Sequence, residues 1–118
     1  MKKKSELITY PDGLKEWYLN DKLHREDGPA YECSDGYKEW WFKGKRHRVD
    51  GPAIEQPDGT KEWWLKGKRH REDGPAVEHP DGTKEWWLND KPYDKMSYYN
   101  LMVKLGHMTK EEVFLELI

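Results

Sequence analysis

His24, His47 and His70 each open the same heptapeptide, His-Arg-x-Asp-Gly-Pro-Ala. An imidazole with a carboxylate three residues on suggests two chemistries: ligation of a metal ion, or general acid–base work with the carboxylate holding the ring. Metal ligation requires the donors about 2.0–2.1 Å from one ion. If each heptapeptide belongs to a unit of two strands, successive histidines stand about 9.6 Å apart, from a strand spacing near 4.8 Å. They cannot share an ion. Catalysis requires one asymmetric site, whereas this set occurs three times alike. The simpler reading is a corner brace: Arg25/Asp27, Arg48/Asp50 and Arg71/Asp73 hold a turn, and each His packs or hydrogen-bonds in its own corner.

The remaining reactive side chains add little chemistry. Cys33 is the only cysteine and flanks a turn, with nothing nearby to activate it. A single thiol gives no disulfide framework and fits a reducing compartment. There is no phosphate-binding glycine loop, no nucleophile elbow and no zinc-like Cys/His spacing. These residues point to a protein that is not an enzyme and carries no cofactor or metal.

The basic clusters are more informative. Lys43, Lys45, Arg46 and Arg48 recur as Lys66, Lys68, Arg69 and Arg71. Beside them run Tyr18, Trp41, Trp64 and Trp87. A basic edge next to aromatic residues suits a protein partner, or a nucleotide, nucleic acid or other phosphate-bearing ligand. A merely solvated edge, partly neutralised by Asp50 and Asp73, is the alternative.

What positions these residues is a repeat. Asp-Gly pairs fall at Asp12, Asp35, Asp58 and Asp81, each 23 residues from the last, and Lys-Glu-Trp recurs at Lys15, Lys38, Lys61 and Lys84. Such a period marks stacked supersecondary units, each too small to bury its own apolar face. Within a unit, Pro57-Asp58-Gly59 reads as a three-residue hairpin loop, so Gln56 faces Thr60 and Glu55 faces Lys61. The same register pairs Glu32 with Lys38 and Glu78 with Lys84, an opposite-charge cross-strand pair in every full unit.

Alternation along the Lys-Glu-Trp-Trp-Leu strand puts Trp17, Trp40, Trp63 and Trp86 on one face with Ala30, Ala53 and Ala76, a pattern suited to a core. The opposite face carries Tyr18, Trp41, Trp64 and Trp87 together with Glu16, Glu39, Glu62 and Glu85. Unpaired carboxylates are costly to bury, so this second face is expected to see water and to anchor a partner. The Asp-Gly turns gather acid along one long edge and the Lys/Arg turns gather base along the other, although the net charge is only −2.

The composition agrees. Hydrophobic residues make up only 35% of the 118 residues and charged residues 37%, which by itself suggests disorder. Seven Trp and seven Tyr overturn that inference, since each can bury roughly 150–250 Å². No stretch reads as a signal peptide or a membrane span, so the protein is expected to be soluble and cytoplasmic.

Residues 1–7 read as a flexible lead-in, whose Lys2, Lys3 and Lys4 could touch phosphate or simply solubilise. Residues 8–92 form the hairpin array. Residues 93–118 differ in kind. Tyr98, Leu101, Met102 and Leu105 share one helical face, Gly106 suits the C′ position, and Thr109 with Glu112 is a capping-box signature before Val113, Phe114, Leu117 and Ile118. Two short helices should cap the last hairpin. The sheet edge near Ile8 has no such cover and is the place for self-association or an added strand.

The 23-residue period, the Tyr10-Pro11-Asp12-Gly13 turn, the Trp strand and the Lys-Gly-Lys-x-His turn resemble MORN repeats, over roughly residues 8–92. The likeness is greatest to the MORN-like variant carrying His-Arg-Glu-Asp-Gly-Pro-Ala, of the type common in phages, giant viruses and bacteria. The resemblance implies β-hairpins stacked into an elongated antiparallel meander that serves as a protein-interaction scaffold. It defines no catalytic residues. It suggests a binding module, such as a phage-encoded inhibitor that occludes a host factor. The contact residues expected are Tyr18, Trp41, Trp64, Trp87, Lys45, Arg46, Lys66, Lys68 and Arg69. A nucleotide-binding role and a structural assembly role are the alternatives.

Overall fold

A computed structural model describes residues 4–118. Lys2 and Lys3 of the expected lead-in lie outside the described residues. The chain is mainly β, an antiparallel array of hairpins with two helices at its C-terminal end. Its radius of gyration is 16.5 Å, against about 13.5 Å for a compact chain of this length, and its extents of 48 × 36 × 20 Å show an elongated slab.

The first hairpin joins β1 (Glu6–Thr9) to β2 (Lys15–Leu19), with Ile8 opposite Glu16. The strand begins at Glu6, inside the expected lead-in, because Glu6 and Leu7 find partners in Tyr18 and Trp17. Next come β3 (Lys22–Leu23), β4 (Tyr31–Glu32), β5 (Lys38–Glu39), β6 (Trp41–Phe42), β7 (Lys45–Arg46) and β8 (Ile54–Glu55). The same order repeats in β9 (Lys61–Glu62), β10 (Trp64–Leu65), β11 (Lys68–Arg69) and β12 (Val77–Glu78), and the array closes with β13 (Lys84–Leu88) and β14 (Lys91–Tyr93). The main sheet runs β1-β2-β4-β5-β8-β9-β12-β13-β14. Glu32 lies opposite Lys38, Glu55 opposite Lys61 and Glu78 opposite Lys84, as the turn chemistry requires.

Each Asp-Gly turn is built alike. The Gly59 N–H donates to the Gln56 carbonyl, Gly59 takes a φ of 98°, and Asp58 Oδ1 accepts from the Thr60 N–H at 2.8 Å. These aspartates are therefore occupied by their own turns. At the other end of each hairpin both central residues have positive φ: Lys43/Gly44 at 49° and 80°, Lys66/Gly67 at 50° and 80°. That is the type I′ turn, whose twist matches that of the flanking strands.

The Lys-Glu-Trp-Trp-Leu strand changes neighbours halfway. Its Lys-Glu end pairs with the Ala-x-Glu strand of the next unit, and its Trp-Leu end pairs with Lys-Arg. Trp40 and Trp63 sit at the switch. The Trp63 N–H donates to the Ala76 carbonyl, and the Trp63 carbonyl accepts from the His70 N–H. Between these two contacts the chain leaves the sheet, so residues 71–75 stand out as a loop. The strands carrying Trp17 and Trp40 are followed by the same excursion, whereas β13 runs on into β14 and α1.

α1 (Lys95–Lys104) starts at the Asp94 N-cap, and α2 (Lys110–Leu117) starts with the complete Thr109–Glu112 capping box. Tyr98, Tyr99, Met102, Val113 and Leu88 form the one buried cluster of large side chains among the described residues. Two expectations change here. Tyr99 replaces Leu105 on the buried face, because α1 ends before Leu105 and the chain turns at Gly106, with φ at 81°. The apolar side of α2 is mostly exposed, Phe114 to 63%, because only Val113 reaches the cluster.

Candidate binding surface

The type I′ turns decide the surface. With Trp41 opposite Arg46 and Trp64 opposite Arg69, each arginine shares a face with the second Trp of its own strand pair. Stacking the units then interleaves them. Arg46 Cζ lies 5.2 Å from the centroids of both Trp41 and Trp64, and Arg69 Cζ lies 5.2 Å from Trp64 and 5.0 Å from Trp87. A ladder of alternating indole and guanidinium, Trp41-Arg46-Trp64-Arg69-Trp87, thus crosses one face. Each pair satisfies the geometry of a cation–π contact.

Under the ladder runs a row of carboxylates. Glu39 Oε1 accepts from Arg46 Nε at 2.7 Å, and Glu62 Oε1 lies 3.2 Å from Arg69 Nη2. The indole N–H of Trp64 donates to Glu62 and that of Trp87 to Glu85. Glu85 also faces His79 Nε2 at 3.2 Å. Burial pushes the Glu85 carboxyl up, but hydrogen bonds from His79 and Trp87 and the Arg69 charge outweigh it, so its pKa lies below the usual range. Trp41 Nε1 is the exception. It is buried and has no partner among the described residues, although Glu39 beside it pairs with Arg46.

The expectation that this face stands open to water needs correction. Glu39 is only 8% exposed, and Ile54 and Val77 beside the carboxylate row are buried. Paired with a guanidinium, a carboxylate can be covered. The ladder Trp residues are half-buried, presenting ring edges and guanidinium planes. Tyr18 continues the same row, donating its hydroxyl hydrogen to Glu16. Tyr37 lies on this face as well, its phenol pushed up to about 12 by burial and by the nearby Glu39 charge.

Along the type I′ turn edge, Lys45, Lys66 and Lys68 are exposed and flank the ladder. The nine expected contact residues therefore divide. Trp41, Trp64, Trp87, Arg46 and Arg69 form one stacked array, the three lysines border it, and Tyr18 sits one unit away.

The opposite face holds the first Trp stripe and the loop excursions. The guanidinium of Arg25 lies over Trp17 at 4.0 Å, that of Arg48 over Trp40 at 3.9 Å, and that of Arg71 over Trp63 at 3.8 Å. In each loop the arginine also donates to its Asp at Oδ1 and to the carbonyl of the loop proline. The glycine of the motif lies against the guanidinium: a Cβ on Gly51 would sit 3.0 Å from Arg48 Cζ, so the arginine would have to shift to admit it. The first stripe is half-buried, with Ala30, Ala53 and Ala76 fully buried beneath it. Trp86 has no following arginine. Tyr99 of α1 covers it instead, 6.2 Å between centroids.

The histidines are inter-unit stitches. The Nδ1 atoms of His24, His47 and His70 accept the backbone N–H of Lys43, Lys66 and Asn89, each at the first position of the next unit's turn. Each ring is thus an acceptor at Nδ1 and spoken for. Burial, and then the Lys66 charge, hold the His47 pKa below the usual histidine value. Among the described residues no three His, Cys, Asp or Glu side chains are grouped so as to hold an ion. Burial raises the Cys33 thiol pKa, which leaves it a poor nucleophile.

Sequence reasoning placed the basic clusters on an edge and so missed that Arg46 and Arg69 belong to the aromatic face. The signal was present in the two-residue turn, which sets Trp64 opposite Arg69. Comparison with known families, with curated proteins and with solved structures gives no match.

Proposed function

We propose that the chain is a non-enzymatic binding module, a MORN-like array that presents its Trp/Arg ladder and bordering lysines to a protein partner. The observation that carries this reading is the ladder itself. Five large side chains, three of them indoles, form a continuous, half-buried surface interlocked by stacking, and Trp and Arg are the residues enriched where binding energy concentrates. Interlocking matters because side chains already held by neighbours lose little entropy on binding. The lysines add a cationic border that favours an acidic partner surface. The resemblance to repeat proteins of phages, giant viruses and bacteria suggests occlusion of a host factor as the use of such a surface.

A phosphate-bearing ligand fits less well. Arg46 and Arg69 are already paired with Glu39 and Glu62, and a phosphate would have to displace those carboxylates. The test is retention of proteins from a native lysate on the immobilised chain, beside a variant with Lys45, Lys66 and Lys68 all changed to Glu. An acidic protein held by the parent and lost by the variant supports the reading. Equal retention by both, or retention of nucleic acid alone, contradicts it.

A further inference from the structure

The two ends of the array differ in their edge chemistry. The last strand, β14, contains Pro92, which offers no N–H, beside Lys91, and α1 follows it directly. Both residues blunt an edge against further pairing. The first strand has neither device between Glu6 and Thr9, and the sheet order ends on it.

The direction of its backbone groups follows from the register. The Trp17 N–H donates to Ala30 and its carbonyl accepts from His24, both on the side of β2 away from β1. Leu7, opposite Trp17, is therefore in a non-hydrogen-bonded pair, and so is Thr9, opposite Lys15. The N–H and C=O of Leu7 and Thr9 point outward from the sheet. Leu7 is 51% exposed and Ile8 44%, so apolar side chains flank the edge on both faces.

We propose that this edge pairs with the same edge of a second copy of the chain, antiparallel, across a two-fold axis through Ile8. An isologous contact requires a self-complementary patch, and this register supplies one. Leu7 of each copy lies opposite Thr9 of the other, so the outward groups meet in two hydrogen-bonded pairs. Ile8 meets its own counterpart at the close, non-hydrogen-bonded position, and Glu6 faces Tyr10. The register centred on Leu7 would instead set each Glu6 carboxylate against the other copy's Ile8. Directly opposite residues share a face. The dimer is therefore one continuous sheet with both Trp/Arg ladders on the same side, a bivalent surface.

Sedimentation velocity over a dilution series tests this on the full chain. The expected result is a monomer–dimer equilibrium that Ile8→Lys abolishes and that an equimolar mixture of Ile8→Lys and Ile8→Glu restores. The second arm is Ile8→Cys in a Cys33→Ser background. Mild oxidation should give a covalent dimer, since facing Cα atoms at a non-hydrogen-bonded pair lie about 4.5 Å apart, within disulfide reach. Leu7→Cys in the same background should give much less. A parent chain that is monomeric throughout overturns the proposal. So does a dimer indifferent to Ile8→Lys, or equal crosslinking at positions 7 and 8.

Discussion

The guanidinium of Arg71 lies 3.8 Å above the ring of Trp63, and the same group donates to Asp73, to the Pro75 carbonyl and to Glu78. One side chain thus covers the strand, folds the loop over it and ties both to the next strand. The planar fork is what allows this, and an ammonium cannot reproduce it. Arg71→Lys is expected to lower stability by about 1–3 kcal/mol, as loss of charge-assisted hydrogen bonds does, with retained charge giving little rescue. Urea denaturation followed by Trp fluorescence measures it. A loss near zero would mean that the stack and the brace are passive.

The ladder makes a graded prediction. Trp64 is stacked on by two guanidiniums, Trp41 and Trp87 by one each. Trp64→Ala should therefore be more destabilising than Trp41→Ala by about 0.5–1 kcal/mol for the extra contact and by roughly 1 kcal/mol more for the indole hydrogen bond to Glu62 that Trp41 lacks. Phe substitution separates the indole N–H from the ring. Trp64→Phe removes the donor to Glu62, whereas Trp41→Phe removes a buried N–H that has no partner. The second change should be near neutral and the first should lose roughly 1 kcal/mol. Equal effects at 41 and 64 in denaturant titrations would contradict the ladder.

One phenol of α1 hydrogen-bonds directly to the third loop. Tyr98 is fully buried, donates to the Arg71 carbonyl and accepts from the Gly74 N–H. Burial pushes its pKa up to about 12. Tyr98→Phe keeps the ring but leaves two backbone groups of the third loop unpaired, with an expected loss of about 1–3 kcal/mol. Amide hydrogen exchange should show faster exchange at Gly74 than in the parent. Unchanged exchange there would detach α1 from the loop.

The stitches predict a pH dependence. Folding lowers the His47 pKa, so the unfolded chain binds this proton first. The stability from the Lys66 N–H to Nδ1 bond is complete above the unfolded value of about 6.5 and declines as pH falls through it toward the lower folded value. Denaturation midpoints should drop over that window, and His47→Asn should flatten part of the drop. Asp58 and Asp81, lowered by hydrogen bonds from Thr60 and Thr83, lose their contributions only further down, in the carboxylate range. A midpoint that stays constant across the histidine window would refute the stitch.

The hairpins were legible because their signals are local. Asp58-Gly59 fixes its turn, the turn fixes Glu55 opposite Lys61, and Thr109 with Glu112 marks the start of α2. The Arg/Asp braces were legible for the same reason, since Arg25 and Asp27 are two residues apart. What escaped depends on stacking. Whether Arg46 falls between Trp41 and Trp64 is set by the spacing of units, not by either residue's neighbours. That stacking also allowed Glu39 to be buried, which reasoning from an unpaired carboxylate excluded. The exposure of Phe114 was missed because periodicity shows a helix's apolar face but not whether anything covers it.

The exposed lysines that border the ladder can be changed without replacing the stacked arginines, so they give a direct test of the binding reading. With a purified partner, association and dissociation rates should be measured across salt concentrations for the parent and for the variant carrying Lys45→Glu, Lys66→Glu and Lys68→Glu, with circular dichroism to show that both are folded. The expected result is a slower association rate, little change in dissociation and a flatter salt dependence, as removal of electrostatic steering requires. Unchanged rates at every salt concentration would remove this face from the interface and contradict the proposed function.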